Sequence, residues 1–407
     1  MLYQFKFKNF KSYKNETVFD MRAENIKEFE ESIIVDKNGE RILPVSVIYG
    51  ANAGGKSSLL EALVCFISII IKPRRILIDK SSEKKSYHKT FAFYNDIIPY
   101  KFDEESTKKP TEFEMFFSTN NNEYKYDISI LKNEIITESL YKKEFTGKKP
   151  AKIFERNKKN IVLGEILKKN NVSINVNENM PYLTYLSITN NVEVIKDVIE
   201  YFENVTAINY AKQTFEEAIK VYGEKAKKMF LKILEDMDID ICDYRIEKKE
   251  NGVIKFFTKH KNNNKEYELQ FAEESEGTKK IFSLLPNIID ALLSGGLAIL
   301  DELDAKLHPK LLKYVIMMFK DKNMNISNAQ LIFTSQDLIT MSNEVFRRDE
   351  IWFACKNEKK ESEIYSLYEI RDENGEHIRA NAAFNKQYLT GKYGADPYLS
   401  RMLSWEE

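Results

Sequence analysis

The chain has 407 residues, more than the roughly 150 of an ordinary domain, so we expect two or three lobes. Its 62 Lys and Arg against 63 Asp and Glu leave a net charge of −1. This balance excludes a general electrostatic attraction to nucleic acid or anionic lipid. Hydrophobic residues make up 43% of the chain, which excludes the disordered class and predicts a folded protein.

The three cysteines, Cys65, Cys242 and Cys355, lack the spacing of a metal site, and we interpret them as reduced thiols in the core. The longest apolar run, residues 62–71, is well short of the roughly 20 residues that cross a bilayer. Residues 1–7 alternate between apolar and polar, which predicts a strand and not a signal peptide. We therefore predict a cytoplasmic protein without a membrane partner.

The first predicted elements are the strand at 1–7 and a second strand at 44–49, which leads directly into a glycine-rich turn. A helix follows the turn over 57–71, because its leucines recur at helical spacing. Short alternating runs between about 91 and 143 predict an antiparallel sheet.

A basic stretch follows this sheet. Residues 139–170 contain ten Lys or Arg against three Glu, a local excess of seven positive charges. Aromatic residues for base stacking are sparse there, so we interpret the stretch as a solvated, mobile insertion. A patch at 142–169 that binds nucleic-acid phosphates is the alternative. Residues 192–237 have the periodicity of helices.

From residue 271 onward, short β-type runs alternate again with helix-length segments. The two ends of the chain are therefore predicted to build one lobe together. The predicted domains are 1–90 for the first part of this lobe, 91–150 for an antiparallel β subdomain, 151–270 for the basic insertion with a helical lid, and 271–407 for the rest of the lobe.

Residues 50–57, GANAGGKS, match the phosphate-loop pattern G-x-x-x-x-G-K-[ST] and lie between an apolar strand and a helix, as its mechanism requires. Backbone N–H groups of such a turn and of the helix N-terminus can surround a diphosphate, and glycine permits the close approach. Lys56 can reach the β- and γ-phosphate oxygens, and the Ser57 hydroxyl can hold Mg²⁺.

A second motif lies far along the chain, where the apolar run 297–300 ends in Asp301 and Glu302. A strand of this kind places Asp301 at the carboxyl edge of a parallel sheet, where it can bind a metal ion through water. Glu302 would then lie beside an attacking water. Taken alone, the pattern is equally typical of a buried strand followed by surface acids.

A third motif, Ser275 and Gly277, precedes a helix that we expect to begin near Lys279. A serine and a glycine at a helix N-terminus form either a second anion site or an ordinary N-cap. We interpret His308 as a structural cap of the turn after the acidic motif, and we assign no metal site to histidine.

The order of the three motifs resembles the nucleotide-binding domain of ABC-type ATPases, in the branch that contains the SMC and RecF-like proteins. The opening 9–12, NFKS, is similar to that branch as well. More narrowly, residues 273–309 and 391–395, GKYGA, resemble AAA-type ATPases of bacterial two-gene anti-phage defence loci: the RloA, AbiLi and AriA families. The resemblance covers essentially the whole chain. It implies an α/β fold: an ABC-type P-loop nucleotide-binding domain with a mixed sheet flanked by helices, an antiparallel β subdomain and a helical insertion.

The resemblance implies ATP and Mg²⁺ as cofactors. The nucleotide-binding residues that it implies are Asn52, Gly54, Gly55, Lys56, Ser57, Ser58, Ser275, Gly277 and Asp304. Ser57 and Asp301 would hold Mg²⁺. The catalytic residues would be Glu302, which polarises the water, together with Lys56 and Gln336.

In this family, the residues that correspond to Ser275 and Gly277 contact the γ-phosphate of a nucleotide held by another subunit. ATP would then join two copies head to tail into a homodimer or a higher oligomer. Asp304 would lie at the seam between the copies, and Lys11 and Ser12 would border the phosphates.

This chain departs from the family at one position. The family commonly has a histidine after the strand that corresponds to 331–334, whereas this chain has Gln336. The amide can donate to a γ-phosphate, but it cannot become an imidazolium. We therefore expect slow or partner-dependent hydrolysis.

The leading functional hypothesis is an ATP hydrolase that acts as a sensor or scaffold and controls a separate effector, a TOPRIM-type or RloB-like nuclease, in anti-phage defence. A DNA-binding SMC- or RecF-like ATPase of genome maintenance is the alternative, supported by the basic stretch at 142–169. A nucleotide-bound structural module without turnover is a third hypothesis. A small-molecule kinase ranks last, because it would leave residues 275–278 unexplained.

Overall fold

The computed structural model describes residues 1–79, 97–119, 122–145, 147, 149–209, 224–248, 254–263 and 265–395. The strands are β1 (Leu2–Lys8), β2 (Thr17–Asp20), β3 (Ile34–Val35), β4 (Arg41–Ile42), β5 (Val45–Tyr49), β6 (Thr111–Ser118), β7 (Asn122–Leu131), β8 (Glu134–Glu144), β9 (Ala151–Asn157), β10 (Asn160–Leu163), β11 (Val205–Asn209), β12 (Asp243–Lys248), β13 (Ile254–Asn262), β14 (Lys265–Gln270), β15 (Leu297–Asp301), β16 (Gln330–Thr334), β17 (Ile351–Lys356) and β18 (Ser362–Ser366). The helices are α1 (Lys56–Asp79), α2 (Glu165–Lys169), α3 (Tyr182–Thr189), α4 (Glu193–Glu203), α5 (Glu224–Asp236), α6 (Glu276–Ser294), α7 (Pro309–Lys320) and α8 (Phe384–Leu389).

A seven-stranded antiparallel sheet, in the order β10-β9-β8-β7-β6-β1-β2, forms one outer layer. Along β6, buried residues alternate with more exposed ones, because only one face of the sheet packs on a core. On that face Phe66 of α1 contacts Phe5 and Phe113, with ring centroids 5.7 and 5.8 Å apart. The helix that follows the phosphate loop is therefore anchored on the antiparallel sheet.

The second large sheet has six strands in the order β11-β15-β16-β5-β17-β18. All neighbours are parallel except β17 and β18. β5, β15 and β16 are buried along their whole length, because α1 covers one face while α6 and α7 cover the other. β16 lies between β5 and β15, so the carboxyl ends of these three strands meet at one edge.

The α/β fold class predicted from the sequence is confirmed. The antiparallel sheet expected between about 91 and 143 appears as β6, β7 and β8, and the expected helix after the glycine turn is α1. The domain boundaries stay predictions. Two observations bear on where they lie: β1 and β2 pair within the antiparallel sheet, and β11 pairs with β15 in the parallel sheet.

The interpretation of 139–170 as a mobile insertion is wrong. Residues in this stretch form the end of β8, all of β9 and β10, and α2, so the stretch extends the antiparallel sheet. Ile153 and Phe154 of β9 are fully buried, which explains why the strand docks.

The positive excess of this stretch is partly neutralised by ion pairs. Six of its cations pair with carboxylates: Lys142 with Glu144, Lys143 with Glu123, Lys152 with Glu155, Arg156 with Glu138, Lys159 with Glu178, and Lys168 with Glu165. Three of these acids lie outside the counted stretch. Lys148 lies outside the described residues. The pairing weakens the case for a nucleic-acid patch at 142–169.

Three smaller expectations need correction. The region 192–237 is not helical throughout, because β11 lies within it and residues 210–223 lie outside the described part of the chain. The helix expected near Lys279 begins three residues earlier, at Glu276. Cys242 is exposed and Cys355 half-buried, so of the three thiols Cys65 alone is in the core.

The apolar run of α1 packs inside the protein. Residues 62–71 are buried between the two large sheets apart from half-buried Ile69, as expected for a core helix. Within the described ranges no helix has the length and hydropathy needed to cross a membrane.

Candidate nucleotide-binding site

The phosphate loop, residues 50–55, connects β5 to α1 and packs directly on β17. A Cβ atom at Gly50 would lie 2.1 Å from the Ala354 carbonyl oxygen, and one at Gly54 would lie 2.5 Å from it. Gly50 also has a φ of +143°, a conformation that side chains rarely adopt. Gly50 and Gly54 are therefore required by the contact of the loop with β17. The expectation that glycine also permits the close approach of phosphate stays a prediction.

Gly55 is held from below by Tyr13. The Tyr13 hydroxyl donates to the Gly55 carbonyl oxygen at 3.1 Å, and a Cβ atom on Gly55 would approach this hydroxyl to 2.8 Å. Tyr13 is fully buried, and burial raises the pKa of its hydroxyl, which stays a donor. On the opposite side of the loop, Asn52 and Ala53 are exposed and line the cleft.

The Lys56 ammonium group is folded back onto the loop. Its Nζ donates to the carbonyl oxygens of Gly50 and Ala51, at 2.7 and 3.1 Å. Burial lowers the pKa of this amine, and the nearby carboxylates, Asp301 first among them, oppose the shift. A bound triphosphate would offer Lys56 Nζ charged phosphate oxygens as acceptors in place of these carbonyl oxygens.

Three side chains, from α1, β15 and β16, and one backbone N–H group converge below the loop. Ser57 Oγ donates to Asp301 Oδ1 at 3.1 Å, and Thr334 Oγ1 donates to the same oxygen at 2.6 Å. Thr334 Oγ1 in turn accepts the backbone N–H of Glu302 at 2.7 Å. The sequence analysis did not select Thr334, although a polar residue that ends an apolar strand is a detectable signal.

Asp304 and Gln336 lie next to this cluster. The backbone N–H of Gln336 donates to Asp304 Oδ2 at 3.0 Å, while the Gln336 side chain is exposed. Burial raises the pKa of Asp304, and the hydrogen bond from Gln336 opposes the shift. The loop after β15 and the loop after β16 are thus joined at the cleft.

The cleft above these groups has a volume of about 640 Å³. The predicted residues that line it are Lys11, Ser12, Asn52, Gly55, Lys56, Ser57, Ser58, Glu302, Asp304 and Gln336. Buried Gly54 and Asp301 lie beneath this surface. Lys356, which the sequence analysis did not select, also contributes to the lining.

Ser275 and Gly277 are not part of the lining described for this cleft. Ser275 is the N-cap of α6, and its Oγ accepts the Thr278 backbone N–H at 3.1 Å. A Cβ atom at Gly277 would meet only Ser275 Oγ among its described neighbours, at 3.8 Å. Nothing in the surrounding described structure therefore requires glycine at this position. His308 caps α7 through Nδ1, as expected.

The GKYGA motif at 391–395 contacts the start of the phosphate loop. The backbone N–H of Ala51 donates to the Ala395 carbonyl oxygen at 3.1 Å, and the Tyr388 hydroxyl donates to that oxygen too, also at 3.1 Å. Tyr388 and Tyr393 both pack on the Phe353 ring of β17. The last described residues of the chain thereby support the loop.

The donors at the site fit a magnesium ion shared with phosphates. The Ser57 hydroxyl and the Asp301 carboxylate are hard oxygen ligands, and Mg²⁺ in nucleotide sites typically takes one or two protein oxygens, with phosphates and water completing its octahedron. In the described part of the chain, no group of three or more His, Cys, Asp and Glu could hold a metal ion by itself.

The topology and the site together define an ABC-type P-loop nucleotide-binding domain. The phosphate loop follows β5, the acids follow β15, and β16 separates the two strands in a sheet flanked by helices, with an antiparallel sheet alongside. The chain belongs to the AAA_21 family, described as "AAA domain, putative AbiEii toxin, Type IV TA system", whose model matches residues 45–342.

Two solved structures are similar to this chain at 12% sequence identity each. The SMC head domain from Thermotoga maritima matches with a TM-score of 0.42 over 90% of this chain and 98% of that chain. The Smc head domain with an extended coiled coil bound to the C-terminal domain of ScpA, derived from Pyrococcus furiosus, matches with a TM-score of 0.40 over 90% and 96%. No curated protein matches the chain.

Proposed function

We propose that this protein binds and hydrolyses ATP with Mg²⁺ and that two copies close head to tail around two nucleotides. The convergence of Ser57, Asp301 and Glu302 on one cleft beside Lys56 is the observation that carries the proposal. A binding loop, a metal-binding pair and a carboxylate for polarising water are the parts that phosphoryl transfer to water requires.

Each of these residues has a separate task. Lys56 leaves the loop carbonyls and pairs with the β- and γ-phosphates, and Ser57 and Asp301 hold Mg²⁺. Bound Mg²⁺ supplies charge neutralisation at the transferred phosphoryl group. Glu302 orients and polarises the attacking water, while Gln336 donates an amide N–H. Because an amide is a weaker electrostatic partner than an imidazolium, we expect slow turnover until a partner binds.

The position of Ser275 and Gly277 supports closure between two copies. Both lie outside the lining of the cleft in their own chain, at an exposed helix N-terminus that favours anions. In the closed pair this helix end contacts the γ-phosphate held by the neighbour. Asp304 then lies between the two copies.

ATP-driven closure would control a separate effector, and we assign the effector to the TOPRIM-type or RloB-like nucleases of anti-phage defence. The family description, which names the AbiEii toxin and type IV toxin–antitoxin systems, supports a role in bacterial defence. The resemblance of residues 273–309 and 391–395 to ATPases of two-gene defence loci supports a partner encoded next to this protein.

Three variants test the proposal by native mass spectrometry and phosphate release, each with ATP and with or without Mg²⁺. Glu302→Gln should accumulate a nucleotide-bound dimer, since it binds ATP without consuming it. Lys56→Ala should stay monomeric and lose ATP affinity. Gly277→Ala should keep ATP affinity but not dimerise.

The Gly277→Ala variant has a clear stability expectation. Its Cβ atom has space in the lone chain, so the substitution introduces no clash there. Lost dimerisation therefore would not reflect unfolding. A Gly277→Ala protein that dimerises like the parent, or ATP that no variant and no parent consumes, contradicts the proposal.

The alternative, a DNA-binding ATPase of genome maintenance, ranks second. Most of the cations that supported it are ion-paired, while Lys149 is exposed and Lys152 is in the pair described above. ATP-strengthened duplex binding at low salt that is lost in Lys149→Ala/Lys152→Ala would favour this alternative.

A further inference from the structure

Thr334 ends β16 at the centre of the site, and its hydroxyl contacts both acidic residues. The side chain is 1% exposed, so water cannot replace its hydrogen bonds. Oγ1 donates to Asp301 Oδ1 at 2.6 Å and accepts the Glu302 backbone N–H at 2.7 Å. The hydroxyl has one proton to donate, and its contact with Asp301 uses that proton.

Thr334 also stabilises the backbone conformation around Glu302. Glu302 has a φ of +56°, a left-handed conformation that is unfavourable for a residue with a side chain. The next amide, of Leu303, donates to the Thr334 carbonyl oxygen at 3.2 Å. Two successive N–H groups of this strained turn therefore end on Thr334. Leu303 is fully buried by this turn, while the Glu302 side chain reaches the cleft.

A continuous chain of hydrogen bonds follows from these contacts. It runs from Ser57 to Asp301, from Asp301 to Thr334, and from Thr334 to the backbone of Glu302. We propose that Thr334 is a positioning residue that locks the magnesium-binding carboxylate to the water-polarising carboxylate. This inference rests on the proposed ATPase function. A hydroxyl suits the position because one atom both donates to Asp301 and accepts from Glu302.

The main test is Thr334→Val, which keeps the shape of the side chain and removes the hydroxyl. Orienting partners of metal ligands commonly change metal affinity or activity by about 10–100-fold, so we expect half-saturating Mg²⁺ to rise and kcat to fall by at least about tenfold. ATP affinity without Mg²⁺ should stay within about threefold of the parent, because Lys56 and the loop are untouched. Thr334→Ser should restore both Mg²⁺ affinity and kcat.

A matched control is available in the same sheet. Thr206 in β11 is also 1% exposed, but its hydroxyl has no hydrogen-bond partner among the described residues. Thr206→Val should behave as the parent in every readout. If Thr334→Val fails to give a folded protein by circular dichroism, Thr334→Ala provides the same comparison.

The readouts separate this inference from the proposed function. Calorimetric titration of ATP at several Mg²⁺ concentrations reports on the carboxylate pair without turnover. A parent protein that binds Mg·ATP but never hydrolyses it contradicts the proposed hydrolysis, while the titration still decides the role of Thr334. The inference is overturned if ATP binding by Thr334→Val, Thr206→Val and the parent depends equally on the Mg²⁺ concentration. It is also overturned if Thr334→Ser has Mg²⁺ affinity and kcat no higher than those of Thr334→Val.

Discussion

Tyr13→Phe removes one buried hydroxyl that supports the phosphate loop on the side facing away from the cleft. The variant tests whether this support holds the loop in the conformation that binds nucleotide. The Tyr13 hydroxyl donates to the Gly55 carbonyl oxygen, and the ring remains in the variant to fill the space. Gly55 O also accepts the Leu59 N–H of α1 at 3.0 Å, so the substitution leaves no carbonyl unpaired.

The expected loss of stability is small because Gly55 O keeps its hydrogen bond from the Leu59 N–H. A net hydrogen bond contributes about 0.5–1.5 kcal/mol, and the larger penalty for an unpaired buried group does not apply. We therefore expect the free energy of unfolding to fall by about 1 kcal/mol. If the whole loss falls on the conformation that binds nucleotide, ATP affinity decreases by about fivefold, since 1.4 kcal/mol corresponds to tenfold.

Tyr182→Phe is the matched control. Tyr182 is also fully buried, and its hydroxyl donates to the Ser173 carbonyl oxygen at 2.9 Å, far along the chain from the phosphate loop. Urea unfolding should give both variants a similar loss of stability, whereas calorimetry should detect weaker ATP binding in Tyr13→Phe alone. Equal ATP affinities in the two variants would refute the reasoning, and a loss above about fiftyfold would mean that Tyr13 contacts the nucleotide itself.

Three further predictions concern exposed positions. Gln336→His should raise basal phosphate release, most strongly below a pH of about 6.5 where imidazole is charged; an unchanged rate across pH 5.5–8 contradicts the role of Gln336. Glu276→Gln should tighten ATP-dependent dimerisation several-fold at low salt, because its carboxylate lies beside the anion-binding helix end; the effect should shrink as ionic strength rises in analytical ultracentrifugation. Maleimide should label exposed Cys242 in the native protein and leave Cys65, 2% exposed, unlabelled by mass spectrometry; equal labelling contradicts the assignment of burial.

The phosphate loop and the acidic strand could be predicted from the sequence because each is a local pattern. Residues 50–57 contain their own turn chemistry, and 297–300 form an apolar run that ends in acids. The role of Thr334 could not be predicted in the same way, because it depends on the register of β16 against β15 and on the turn after Asp301. Such contacts join residues more than thirty positions apart, and only the folded sheet brings them together.

The basic stretch failed as a prediction for a related reason. A local charge count cannot include distant partners, and Glu123, Glu138 and Glu178 neutralise cations of the stretch from outside it. β11 was missed because its five residues lie next to the strongly periodic α4, so the helical pattern extended over it. The position of Ser275 and Gly277 outside the cleft could be learned only from the fold.

The support of the phosphate loop by β17 and by Ala395 has a consequence for synthesis of the protein. The loop is synthesised before Ala354 and Ala395, on which it rests and which lie about three hundred or more residues further along the chain. The loop therefore gains these two supports only after Ala354 and Ala395 have been synthesised.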